Sequence, residues 1–131
     1  MLKSNVGWST EADNYASGKA SAKKAVQDLF ETKVAFLYTS ADNDVAKVLE
    51  GAKSELGTAP IIGCTSSAGI ITPEGFISSE NGFTGILALG DSELTVGVAS
   101  SPKKEEARLT GQMVAKEAMK KAGRTDSPAY F

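Results

Sequence analysis

The hydrophobic pattern predicts an α/β protein. The expected architecture is a mixed β-sheet of about five to seven strands with helices packed on it: βαβαβ, then an antiparallel meander and a helix. Three observations carry that expectation. VAFLY (34–38) is a continuous apolar run, which suits a central strand covered on both faces. Val45, Val48, Leu49, Ala52 and Leu56 recur at i, i+3, i+4, i+7 and i+11, one face of a helix. In the second half the connections between apolar runs are too short for crossover helices, so neighbouring strands there should run antiparallel.

Taken in order, LKSNVGW (2–8) reads as the first strand, with Leu2, Val6 and Trp8 on one parity. A helix over 13–31 follows, its face built from Tyr15, Ala22, Val26, Leu29 and Phe30. Gly18 costs that helix about 1 kcal/mol relative to alanine, which suggests a packing or ligand-approach reason for it. The strand at 33–39 leads to a helix at 43–57, with Thr39, Ser40 and Asp42 as N-cap candidates and Gly57 and Pro60 as stops. PIIG starts a third strand over 60–65. TPEG (72–75) places proline and glycine where a turn between two short strands, 70–71 and 76–78, needs them. Strands are expected at 83–90 and 93–100, the latter because Leu94, Val96 and Val98 alternate with Thr95, Gly97 and Ala99. Ser101 and Pro102 should open a last helix, 103–122, whose Glu105 and Glu106 begin it and Lys120 and Lys121 end it, as its dipole favours. After Gly123, RTDSPAYF reads as a loop and the first residues (129–131) of a further strand.

Composition sets the functional bounds. The chain has 131 residues, 41% hydrophobic and 23% charged, enough for one soluble domain with a real core. A net charge of −2 gives no reason to expect nucleic acid or an anionic membrane surface. No run approaches the about 18 apolar residues of a membrane span, and the N-terminus lacks a signal peptide's apolar core. One cysteine cannot form an intrachain disulfide, which fits a cytoplasmic location. There is no histidine at all. That removes N/S zinc sites, Ser–His–Asp triads, Cys–His dyads and His-ligated haem. No catalytic residue, metal or cofactor is assigned, and the chain is read as a non-enzyme.

The stretch that invites a function is IIGCTSSAGII (61–71). Isoleucine pairs flank small residues, and the centre offers amides and hydroxyls with little bulk. Such a segment either holds an anion or carboxylate on its backbone, or is a tight crossing of small residues under a helix. Composition by itself favours packing. Cys64 has no histidine to activate it and reads as a small hydrophobe; Trp8 reads as core. Asp42, Asn43 and Asp44 lack the glycine and glutamate of a calcium loop and read as helix-start charge.

The order of parts resembles the N-terminal FIST domain of signal-transduction proteins. It does so through Val6-Gly7-Trp8-Ser9, the alanine-rich helix, VAFLYTS, and above all PIIGCTSSAGIITPEG ahead of FTGILAL and LTVGVA. Gly63, Cys64, Thr65, Ser66, Ser67, Ala68 and Gly69 match the family's glycine-cysteine, small residues, alanine-glycine pattern. The resemblance implies a single, incomplete domain over 1–131, acting as a sensory input module that binds a small molecule such as an amino acid. A signalling output module and the remainder of the FIST domain are its implied partners. Some members of the family are described as haem-dependent, a variant that this histidine-free chain does not match. The expected ligand-binding residues are Cys64, Thr65, Ser66, Ser67 and Gly69, because this small-residue loop leaves the carboxyl end of the third strand. Ser9, Thr10, Thr39 and Ser40 would join them at the same rim if the first two strands are parallel neighbours. The alternative is a non-catalytic interaction or scaffold module with no small ligand. A sheet lacking its next strand is expected to self-associate.

Overall fold

The computed structural model describes residues 1–102 and 105–124, and falls into two units, Met1–Ser92 and Glu93–Phe131. The first contains β1 (Lys3–Ser9), α1 (Asn14–Val26), β2 (Val34–Ser40), α2 (Val45–Leu56), β3 (Ile61–Ser66), β4 (Ile70–Thr72), β5 (Gly75–Ile77) and β6 (Thr84–Gly90). The second contains α3 (Ala107–Ala122). The protein is therefore a mixed α/β structure, as its sequence pattern predicts.

The main sheet runs β1-β6-β2-β3. β2 and β3 are parallel, whereas β6 is antiparallel to both β1 and β2. The expected adjacency of β1 and β2 does not occur, because β6 inserts between them. β4 and β5 pair only with each other, Ile71 opposite Phe76 across the Pro73-Glu74 turn, with Gly75 at φ 115°. The second half is thus a separate hairpin followed by one long-range strand rather than a continuous meander.

Both helices of the first unit pack on one face of this sheet. Ala22 and Ala25 of α1, Val48, Ala52 and Leu56 of α2, and Ala35, Leu37, Ile86 and Ala88 of the central strands form one buried cluster. Its alanines bring the layers close, and two glycines bring the helices closer still. A Cβ on Gly18 would overlap the Val48 carbonyl, and one on Gly51 would overlap the carbonyl of Tyr15. The helices therefore cross backbone to backbone, which is the packing reason for Gly18 that its helix-propensity cost suggested.

Local chemistry fixes where the helices begin and end. Asp13 caps α1 by accepting from the Ala16 N–H at 2.7 Å. The helix stops at Val26 rather than at 31, since Gln27 is extended and Asp28 has φ 65°. The Asn5 amide of β1 donates to the carbonyls of Lys24 and Gln27 there, satisfying acceptors the helix leaves open. Asp44, not the upstream candidates, caps α2, accepting from Ala46 and Lys47, while the Asn14 side chain accepts from its own N–H. Gly57 ends α2 with φ 60°. Asp44→Ala should lower the stability of the protein by about 0.5–2 kcal/mol in urea unfolding, the usual loss for such a cap.

The second unit corrects two expectations. Residues 94–99 form no strand: among the described residues they have no ladder partner, and a Cβ on Gly97 would overlap the Ala118 carbonyl of α3. It is Gly97, on the parity opposite to Leu94, Val96 and Val98, that meets this helix, and Lys121 Nζ donates to the Val98 carbonyl at 3.1 Å. α3 starts at Ala107 instead of beside Pro102, with Glu106 at its N-cap and no side-chain cap bond. Ser101 Oγ donates to the Pro102 carbonyl instead of capping a helix. Gly123 closes α3 in the left-handed region as expected, and the Arg124 N–H reaches back to the Met119 carbonyl. Lys103, Lys104 and the strand expected at 129–131 lie outside the described residues.

Candidate functional site

The carboxyl ends of β1, β2 and β3 lie at one end of the sheet. There the register aligns Ser9, Thr84, Thr39 and Thr65 across all four strands, on the face that α1 and α2 cover. A pleated sheet presents every residue of such a row to the same side. The result is a line of hydroxyls where the rest of the face is apolar.

Most of this line is buried. Ser9, Thr39, Ser40 and Thr84 join Ser17 and Ser21 of α1 as the buried polar residues of the chain's described part. Ser17 Oγ donates to Thr84 Oγ1 at 3.1 Å, and the Thr39 and Thr84 hydroxyls meet at 3.0 Å. Thr39 Oγ1 also bonds the Phe83 carbonyl at 3.0 Å, an acceptor that takes but cannot give a proton. Thr39 has one hydrogen, so it is committed to Phe83, and Thr84 must donate to Thr39. The protons therefore run one way, from Ser17 to Thr84 to Thr39 to the main chain. Asn43 Nδ2 donates into Thr39 Oγ1 at 2.8 Å, and Ser21 Oγ lies 3.0 Å from the Thr84 carbonyl. Among the described residues no buried side-chain nitrogen or oxygen lacks a partner.

The residues singled out by sequence thus divide. Thr39 belongs to the relay; Ser9 Oγ and Ser40 Oγ accept from the main chain of Glu11 and Asp42. Thr10 is exposed nearby. Thr65 ends the row on the outermost strand and is exposed, as are Ser67 and Ala68. Ser66 is half-buried and donates to the Gly69 carbonyl at 2.8 Å, which folds the segment back on itself. A Cβ on Gly69 would overlap the ring of Phe76 and the Ile77 carbonyl, so this glycine allows the β5 hairpin to sit against the segment. Cys64 is exposed and, by alternation, lies on the opposite face of the sheet in the row of Trp8, Gly85 and Tyr38.

Thr84, Ser17 and Ser21 were not singled out by the sequence, and Asn43, read there as part of a helix start, instead holds Thr39. A signal for two of them existed: Ser17 and Ser21 occupy i and i+4 on the stripe that also carries Ala22 and Ala25, so hydroxyls stood at core positions. Thr84 carried none, because its partners are distant in sequence.

Among the described residues no group of acidic or cysteine side chains is placed to hold a metal ion. A separate cleft lies at the other end of the sheet, between Lys3, Phe30, Glu31 and Asp91, where the Met1 ammonium pairs with Asp91 at 3.3 Å.

Compared with known families, residues 33–130 match the FIST N domain, from the start of β2 onwards. The chain belongs to the FIST N domain family. This is a sensory domain family of signalling proteins. The match includes the GCTSSAG segment and the relay residues Thr39 and Thr84, while Ser9 and Ser17 precede it. No curated protein matches the sequence. Among solved structures, an empty FtsZ dimer from M. jannaschii is 12% identical with a TM-score of 0.42, covering 72% of this chain and 28% of that one. A mutant of the same FtsZ is 16% identical with a TM-score of 0.43, covering 72% and 29%. Thiamine monophosphate kinase from Aquifex aeolicus is 15% identical with a TM-score of 0.40, covering 77% and 36%. This FIST N chain thus spans well under half the length of each, and similarities of that size carry no argument about its function.

Proposed function

We propose that this chain is the ligand-binding input part of a cytoplasmic signalling protein, non-catalytic, taking a small molecule such as an amino acid at residues 64–69. Membership of a sensory family supports the class of role. The observation that carries the location is the contrast along one row: Thr39 and Thr84 are buried and fully hydrogen-bonded within the fold, whereas Thr65 and the adjoining Ser67 stand exposed. In open α/β sheets ligands gather beyond the carboxyl ends of strands, and this segment leaves such an end.

In this reading Thr65, Ser67 and the main-chain N–H groups through Gly69 meet a carboxylate, Ser66 shapes the segment through its bond to the Gly69 carbonyl, and Cys64 is at the margin. Ser9, Thr39 and Ser40 hold the floor beneath them, and Thr10 is at the rim. The Phe76 ring beside Gly69 supplies an apolar wall for the ligand's side chain. The remainder of a FIST domain and an output module would receive the signal.

Thermal unfolding with each of the proteinogenic amino acids tests this. At least one should raise the Tm in a concentration-dependent way, since a ligand that binds only the folded state stabilises it by mass action. Ser67→Val should weaken that amino acid about tenfold or less in calorimetry, the loss of one neutral hydrogen bond. A panel without any shift refutes the proposal. It would then favour the alternative, an interaction module with no small ligand, for which the half-exposed second face of the sheet is the supporting feature. Val6, Leu87, Phe36 and Ile62 form one row of that face, and the helices of the first unit cover only the other side.

A further inference from the structure

We propose that two copies of this chain pair through the outer edge of β3, antiparallel and across a two-fold axis at Gly63, joining their sheets into one. This inference stands apart from the ligand proposal, because it uses the outward main chain of β3 rather than the hydroxyls of Thr65 and Ser67.

It starts from the hydrogen-bond alternation of β3. The Ala35 N–H bonds the Pro60 carbonyl at 3.0 Å and the Ala41 N–H bonds the Ser66 carbonyl at 3.0 Å. In a parallel ladder every second residue turns its main chain to a given neighbour. Pro60, Ile62, Cys64 and Ser66 therefore face β2, and Ile61, Gly63 and Thr65 turn their N–H and C=O groups outward. Among the described residues no strand pairs with that edge.

The sheet's two edges differ in protection. β1 carries Lys3, and the Asn5 side chain accepts from the Val6 N–H at 2.9 Å, taking up an edge donor. β3 (IIGCTS) has no charge and no proline, and Ile62, Gly63, Cys64 and Thr65 are all exposed. Neutral, regular edges of this kind are those that recruit another strand.

A second copy is the occupant that fits by construction. An isologous pair needs a surface complementary to itself, and an outward row of alternating donors and acceptors is that when reversed. Centring the axis on Gly63 opposes Gly63 to Gly63 and Ile61 to Thr65, so every outward group is matched. It also sets Ile62 of one copy against Cys64 of the other, an apolar pair on one face. Gly63 puts no side chain at the axis.

Sedimentation of the full chain over the micromolar range should show a dimer. A short bis-maleimide should link the copies through Cys64, the chain's one cysteine, whose two positions lie diagonally across the axis on the same face. Thr65→Pro removes one outward N–H from each copy at an exposed residue, and Ile62→Lys puts a charge on the edge. Each should weaken dimerisation roughly tenfold or more and suppress the cross-link, with an unchanged far-ultraviolet spectrum. If Thr65→Pro fails to fold, Ile62→Lys decides. A monomer at every concentration, a dimer that does not link through Cys64, or a dimer that survives the folded variants overturns the proposal. The first of these would leave the edge to a strand of a different protein.

Discussion

Gly18→Ala lowers the stability of the protein by about 1–3 kcal/mol, measured as a lower urea midpoint at unchanged slope. Helix propensity predicts the opposite, a gain of about 1 kcal/mol from placing alanine inside α1. Packing decides between them. The added methyl would occupy the space of the Val48 carbonyl oxygen, a main-chain atom that cannot rotate away. Relief requires α1 and α2 to move apart, and that loosens Ala22, Val48 and Ala52 together. Gly51→Ala meets the Tyr15 carbonyl from the other side and should cost a similar amount. Because both substitutions separate the same pair of helices, the double variant should lose less than the sum of the two. An unchanged or raised midpoint for Gly18→Ala would show that the helices do not touch at this crossing.

Thr84→Val lowers stability by about 1–3 kcal/mol, although the side chain keeps nearly the same shape and is fully buried. Valine removes the one hydroxyl that both receives a proton from Ser17 and gives one to Thr39. Ser17 Oγ is then left with its donor facing a methyl in a dry site, and an unmade buried hydrogen bond costs more than a made one contributes. Thr39 keeps Asn43 and the Phe83 carbonyl, which bounds the loss. Ser17→Ala in the same background should recover part of it, since no unpartnered donor then remains. If Thr84→Val unfolds at the wild-type urea concentration, the hydroxyl row contributes nothing net.

The elements whose causes are local were legible in the sequence. α2 follows from its apolar spacing and Gly57, the hairpin from Pro73 and Gly75, and the buried character of β2 from an unbroken apolar run. Each depends on residues within one or two turns of the chain. The family was legible too, through the small-residue segment that begins within β3 and runs past its end.

Pairing was not. Period-two alternation in residues 94–99 states which side is apolar but not what the segment will pair with, and here it is Gly97, from the other side, that meets α3. Nothing near Phe83 announces that β6 will enter between β1 and β2, since that choice is made by strands far away in sequence. That one insertion sets Thr84 between Ser9 and Thr39 and so turns separate hydroxyls into a buried relay, while β3, left outermost, carries Thr65 and its main chain to the surface. Residue type supplied the hydroxyls and the small side chains; strand order decided which of them are sealed in the core and which remain free to meet another molecule.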